Sequence, residues 1–340
     1  MRATMFHRLA WAALGLTLIV VLLGAYVRLS DAGLGCPDWP GCYGRLLGVP
    51  SQTNQIAAAN EAFPERPVEV DKAWKEMIHR YLAGVLGLLI LGLAALAWRD
   101  RRQSGQPVVL PLTILGLVIF QSILGMWTVT WQLKPVVVMA HLLGGLATLS
   151  LLAWLVLRHG QYGIARSSTI FNGIRTLRGY ALLGLALLVV QIASGGWTSA
   201  NYAALACPDF PTCQTYWWPP TDFREAFTLW RGLGDNYEFG VLDNDARVTI
   251  HLVHRLGAVV VALFLGWLSW RLIAKTGDRA LRAAGVAIAV LLTVQLGLGI
   301  ANVVLQLPLP VAVAHNGGAA LLLLALVTLN HLLLRPRPVP

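Results

Sequence analysis

The sequence predicts an all-α, polytopic membrane protein of eight transmembrane helices, arranged as two parallel-related four-helix bundles. Three observations predict it: a composition of 56% hydrophobic and only 12% charged residues, a set of long apolar runs, and an internal repeat. Soluble domains carry roughly a quarter charged residues, so this chain belongs in a bilayer. Crossing ~30 Å of hydrocarbon at 1.5 Å per residue takes about 20 residues. Runs of that length cover 9–27, 78–98, 108–131, 136–157, 179–199, 248–270, 283–305 and 311–334.

The first run follows Arg2 and Arg8 in the manner of a signal peptide, but no small-residue cleavage site precedes Arg28, and the run reads as a span. The net charge of +10 would suit nucleic acid if it were clustered for that purpose. Its distribution argues for topology instead. The N-terminus, Arg99 to Arg102, Arg158 to Arg178, Arg271 to Arg282 and the tail hold 15 Lys/Arg against 2 Asp/Glu, while the alternate segments hold 11 and 14. Positive charge is kept out of translocated segments. Both termini are therefore expected in the cytoplasm and the cysteine-bearing loops on the outer face, with no nucleic-acid partner.

The repeat decides what single residues mean. Cys36-Pro37-Asp38-Trp39-Pro40-Gly41-Cys42 recurs as Cys207-Pro208-Asp209-Phe210-Pro211-Thr212-Cys213 at an offset of 171, with Gly24 and Gly195 each twelve residues ahead. His79-Arg80 recurs as His254-Arg255 at 175, and Gln121, Gly125 and His141 recur as Gln295, Gly299 and His315 at 174. Each half reads as a helix, a long loop with two cysteines, a helix opening with His-Arg, a third helix, a short turn and a fourth helix with a histidine. An even number of spans per half makes the repeat parallel, about an axis along the membrane normal. The expected divisions are 1–158, a cytoplasmic linker 159–178, and 179–340, each half a four-helix bundle.

Of the eight histidines, His7, His159 and His331 fall at cytoplasmic helix ends, where an imidazole needs no special purpose. His79 and His254 open their helices at the outer surface, and His141 and His315 lie about 6 to 8 Å deep at 1.5 Å per residue. An ionisable side chain inside a span is a functional hypothesis by default; the alternative is a histidine bonded to a neighbouring helix. Repetition of the pair favours metal ligation. With no carboxylate or thiolate cluster nearby, iron in a porphyrin fits best. Gly144, Gly145, Gly317 and Gly318 either let a flat macrocycle approach or serve close helix packing. Arg80 and Arg255 either pair with porphyrin propionates or snorkel to the interface.

One position breaks the repeat. Glu76 precedes His79 by three residues, whereas the matching residue before His254 is His251. A carboxylate beside a metal site can move protons or steady positive charge, which makes the first half reactive and the second a holder; the plain reading is a first-turn acid favoured by the helix dipole. Four cysteines allow three pairings, and the repeat favours Cys36 with Cys42 and Cys207 with Cys213, as structural staples or as redox-active bonds.

Together, Glu76-x-x-His79-Arg80, His141, His254-Arg255, His315 and the two cysteine pairs on eight spans resemble the heme A synthase family over nearly the whole chain. The resemblance implies oxidation of heme O to heme A, a porphyrin methyl group being hydroxylated and carried on to a formyl group for terminal oxidases. It implies further that Glu76, His79 and His141, with Arg80, form the substrate heme site. His254 and His315, with Arg255, would ligate a resident heme b, and Cys36 and Cys42 would form a functionally important disulfide. Heme O synthase and terminal oxidase assembly factors are the expected partners, and a bacterial cell membrane the expected location. The loop from Gln214 to Arg247, with Trp217, Trp218, Trp230 and Tyr237, is longer than in the family's compact bacterial members, and its role is open. Three other readings compete: a diheme b-type electron carrier with equivalent sites, a membrane thiol oxidoreductase, and a transporter.

Overall fold

The computed structural model describes residues 2–160 and 168–334. Eight helices are long and apolar enough to cross a membrane: α1 (Arg2–Leu29), α3 (Val70–Arg99), α4 (Val109–Thr130), α5 (Pro135–His159), α6 (Ser168–Ala200), α8 (Asn244–Lys275), α9 (Arg279–Val304) and α10 (Leu309–Leu334). Short helices α2 (Thr53–Ala62) and α7 (Phe223–Ala226) lie in the two long loops. The protein is an integral, multi-pass membrane protein. In hydrocarbon every backbone donor must find its acceptor within the span, so runs rich in Leu, Ala and Val have no alternative to the helix.

All four helices that run towards the cysteine loops end alike. A residue with positive φ (Asp31 at 49°, Gln132 at 48°, Tyr202 at 52°, Gln306 at 58°) turns the chain. The next N–H then closes back over five residues: Ala32 to Val27, Leu133 to Thr128, Ala203 to Thr198 and Leu307 to Asn302, at 2.7–3.0 Å. Such closure satisfies carbonyls that the helix end would otherwise leave bare. Pro135 at the first turn starts α5, and the Asp278 carboxylate, accepting the Ala280 and Leu281 N–H groups, caps the start of α9.

α1, α3, α4 and α5 pack in a ring, and so do α6, α8, α9 and α10. Between the rings α5 meets α10, while α1 meets α10 and α5 meets α6. Under the repeat α1 corresponds to α6 and α5 to α10, so the last two contacts are copies of each other and the first maps onto itself. That is the packing of a pseudo-two-fold axis running between α5 and α10, parallel to the helices. α10 is accordingly the most enclosed span, with 61% of its apolar window buried, against 17% for the peripheral α4 and α9.

Two differences from the sequence reading follow from where polarity stops. α3 and α8 begin about eight and four residues ahead of their apolar runs, so His79 and His254 do not open their helices but sit over two turns inside them. Helix hydrogen bonding does not require apolar side chains, and polar first turns carrying Asp71, Lys72, Asp245 and Arg247 extend both helices out of the bilayer. Likewise the expected linker 159–178 is helical from Ser168 onward, while residues 161–167 lie outside the described part.

Candidate functional site

The emergent turns of α3 and α8 are the walls on which the cysteine loops are hung. Cys36 is bonded to Cys42, and Cys207 to Cys213, the pairing that the repeat favours. Within the first loop Asp38 accepts the Tyr43 and Gly44 N–H groups at 2.6 and 2.8 Å; in the second, Asp209 accepts those of Gln214 and Thr215 at 2.6 and 3.0 Å.

Each loop is held to its helix by an arginine. Arg80 donates to the carbonyls of Asp38, Pro40 and Gly41 at 2.9, 3.3 and 2.5 Å, and Arg255 to those of Cys207, Asp209 and Thr212, each at 2.8 Å. Both guanidinium groups donate to loop backbone, a role beside the two that the sequence left open, propionate pairing and snorkelling.

Behind each arginine stands the residue one turn earlier. Glu76 accepts the Cys36 N–H at 2.9 Å through Oε2 and Arg80 at 2.5 Å through Oε1. In the second half the His251 ring meets the Cys207 N–H at Nδ1 and the Arg255 Nε at Nε2, both at 3.2 Å. The residue that breaks the repeat in type thus keeps its place in the network.

The four paired histidines lie one turn deeper, on opposite members of each ring: His79 on α3 with His141 on α5, and His254 on α8 with His315 on α10. Every ring is seated against a glycine of a neighbouring helix. A Cβ built on Gly24, Gly125, Gly195 or Gly299 would come within 3.0–3.4 Å of the Cε1 atom of His79, His141, His254 or His315 respectively. These are the glycines that matter to the imidazoles. Gly145 and Gly317 face Val21 and Leu22 of α1, in helix packing, and Gly144 and Gly318 are overlaid by Gln121 and Gln295. Close packing, one of the two roles the sequence left open for those four, is what their neighbours show.

The donor set suits a porphyrin. Among the described residues no group of three or more His, Cys, Asp or Glu side chains could hold a metal ion, so two imidazoles serve only a metal whose remaining ligands come with it. A porphyrin brings four nitrogens. Nδ1 of His79, His141 and His315 is buried without a hydrogen-bond partner in the protein. The Gln191 amide lies 3.1 Å from His254 Nδ1, a second-sphere contact of the kind that orients a ligand ring.

Residues that spacing did not reveal connect the halves. The second long loop crosses to the first ring: the Tyr237 N–H donates to the Gln132 carbonyl at 3.0 Å, Arg66 pairs with Glu238 at 2.6 Å, and Lys134 Nζ lies 3.6 Å from the Trp230 ring centroid. Arg28 donates to the Ser199 carbonyl at 2.6 Å and covers Tyr202. Only one sequence signal was available for Lys134, namely that its counterpart in the second half is Pro308.

This architecture has named relatives. The family model COX15-CtaA, cytochrome oxidase assembly protein, matches residues 7–327. The chain belongs to the COX15-CtaA family. The match takes in both histidine pairs and both cysteine loops. Among similar proteins, the heme A synthase of Shewanella oneidensis is 49% identical over 317 residues, 93% of each chain. The heme A synthase of Shouchella clausii is 24% identical over 251 residues, 73% of this chain and 69% of its own. That of Halalkalibacterium halodurans is 27% identical over 205 residues, 59% and 61%. COX15-CtaA membership thus rests on residues 7–327 and not on one motif.

Proposed function

We infer that the protein is a heme A synthase, a membrane oxidoreductase that oxidises a methyl group of heme O to the formyl group of heme A. The observation that carries this is the near full-length likeness to a heme A synthase at 49% identity, together with two histidine pairs whose surroundings suit a porphyrin.

In this reading residues 1–158 hold heme O between His79 and His141, and residues 179–340 hold a resident heme b between His254 and His315. Heme b supplies redox chemistry when bound. The chain's own residues supply placement. Gly24 and Gly125 leave room for the imidazoles of the first pair, and the arginine-held loop shields that site from water. Glu76 has two duties: the lone pairs already engaged fix Cys36 and Arg80, and those remaining on its carboxylate accept a proton released as the methyl group is oxidised. The backbone N–H of Cys36, one end of the Cys36–Cys42 bond, donates to Glu76 and so couples the loop to that site. The charge distribution supports cytoplasmic termini and outward cysteine loops in a bacterial cell membrane. The enzyme that makes heme O and the assembly factors of terminal oxidases are the partners such a position calls for.

The test is the ratio of heme A to heme O in membranes of cells lacking their own enzyme. Glu76→Gln should keep bound heme but lower heme A by one to a few factors of ten, consistent with the ~10²-fold to 10⁴-fold usual for general acid–base groups. His251→Gln is the control. In purified protein, His254→Ala or His315→Ala should abolish the low-spin optical signal. Full heme b retained in both would reverse the assignment of the halves.

A further inference from the structure

Each disulfide loop carries a tip that the described residues leave uncovered. Cys42 and Arg45 exchange backbone hydrogen bonds at 2.8 and 3.1 Å, and Cys213 and Tyr216 at 2.9 and 3.1 Å, so one kind of tight turn closes both loops. Directly after the turn stand Leu46 and Leu47 in the first half, and Trp217 and Trp218 in the second, equivalent at the repeat offset of 171. Leu47 is 80% exposed and Trp217 76%, and Leu46 and Trp218 are exposed beside them. Adjacent large apolar side chains, uncovered at matched places in both halves, mark a surface that meets something apolar.

The chain fixes where the first tip sits. The Gly48 N–H, next to Leu47, donates to the Tyr81 hydroxyl at 2.8 Å. Tyr81 follows His79 by two residues, about 200° around a helix of 3.6 residues per turn, and so stands on the side of α3 away from that histidine. With Ile78, Val85 and Leu88 it forms one helical stripe, and those three apolar side chains are exposed. On a membrane-spanning helix such a stripe faces hydrocarbon, and it begins where the apolar run begins, at 78. Leu46 and Leu47 are thus tied to the head of the lipid-facing stripe. On α8, whose Arg255 holds the Thr212 carbonyl beside Cys213, Leu256, Val260 and Leu263 repeat the stripe at an offset of 175 and are also exposed.

We propose that both disulfide loops rest on the bilayer, with Leu46 and Leu47, and Trp217 and Trp218, entering the boundary between head groups and hydrocarbon in the leaflet on the cysteine side. The flanking residues suit that boundary. Arg45 is exposed beside the first pair, where a guanidinium reaches lipid phosphates while its stem lies on apolar surface. Tyr216 is exposed at the matching place, and Tyr and Trp concentrate at membrane–water interfaces. Each loop is then held twice, by its arginine on the helix side and by lipid at its tip.

All four cysteines are in disulfides, so a single added cysteine can carry a nitroxide, attached without reductant, on the full-length protein in phospholipid nanodiscs. Leu47→Cys and Trp217→Cys report the two tips. Leu88→Cys reports hydrocarbon, and Glu65→Cys, exposed in the first long loop, reports water. Power saturation reads collisions with oxygen, which concentrates in lipid, and with a neutral nickel chelate, which stays in water. Labels at 47 and 217 should meet oxygen more than nickel, as at 88, with nickel contact several-fold below that at 65. Nickel contact at either tip equal to that at 65 would place the tip in water and overturn the proposal. Low contact with both reagents would overturn it as well, because protein would then cover the tip, and dipolar broadening between labels would name a second copy as the cover. A nitroxide is itself apolar, so Leu46→Asp is added to Leu47→Cys as a second reading. The new charge should lift the tip and raise nickel contact at 47 several-fold; no change would show that lipid does not hold it.

Discussion

Glu76 and His251 occupy equivalent places and face equivalent donors, but only Glu76 can satisfy both. A carboxylate accepts from the Cys36 N–H and from Arg80 at once. A neutral imidazole has a single acceptor nitrogen, while the Cys207 N–H and Arg255 Nε approach both nitrogens of His251. One of those two contacts is therefore unfulfilled in the second half.

Exchanging the acceptors should show this. His251→Glu supplies the missing acceptor and a counter-charge for Arg255, and we expect a higher melting temperature for the purified protein, on the order of 1–3 kcal/mol of stabilisation. Glu76→Gln sets an amide N–H against a donor and should lose a comparable amount. A lower melting temperature for His251→Glu would show that burying the new carboxylate outweighs its bonds.

Arg80 should control the accessibility of the first disulfide. Lysine carries the charge but cannot reach three carbonyls and Glu76 from one ammonium. Arg80→Lys is expected to let the 30–48 loop open, so that a graded reductant followed by thiol labelling modifies Cys36 and Cys42 several-fold faster, with Cys207 and Cys213 unchanged. Arg255→Lys should give the reverse pattern. Equal labelling in wild type and Arg80→Lys would mean that the rest of the loop holds without the guanidinium.

Acid should loosen the second loop through Asp209. Burial by itself would raise its pKa, but the bonds from Thr212, Thr215 and Gln214 outweigh burial and hold it below the ordinary carboxylate value. A depressed folded pKa means that the stability Asp209 contributes is fully present above the unfolded value of about 3.9 and is lost as the pH falls through the lower folded one. Protection of the Gln214 and Thr215 amides from hydrogen exchange should fall across that acid window, and Asp209→Asn should abolish the dependence. An unaltered acid profile in Asp209→Asn would place the titrating group elsewhere.

Much of the protein was readable before any folding. Span lengths follow from the thickness of hydrocarbon, and the parallel repeat from offsets of 171 to 175 that hold through both halves. The disulfide pairing followed from that repeat. Each is a property of spacing along the chain, so each survives projection onto a single line of letters. The helix starts at Val70 and Asn244 were less legible, because a span detected by its apolarity ends where polarity begins, whereas the helix does not.

Tertiary structure decided the rest: that Arg80 and Arg255 grip loop carbonyls about 40 to 50 residues away, that Gly24 and Gly125 seat the imidazoles while Gly144 and Gly145 do not, and that the loop carrying Trp230 and Tyr237 closes over Lys134 in the other half. A long charged side chain takes whichever acceptors converge on it, and a glycine matters only through what packs against it. Both depend on which helices are neighbours in the bundle, and neighbours across the pseudo-two-fold axis have no fixed separation in sequence.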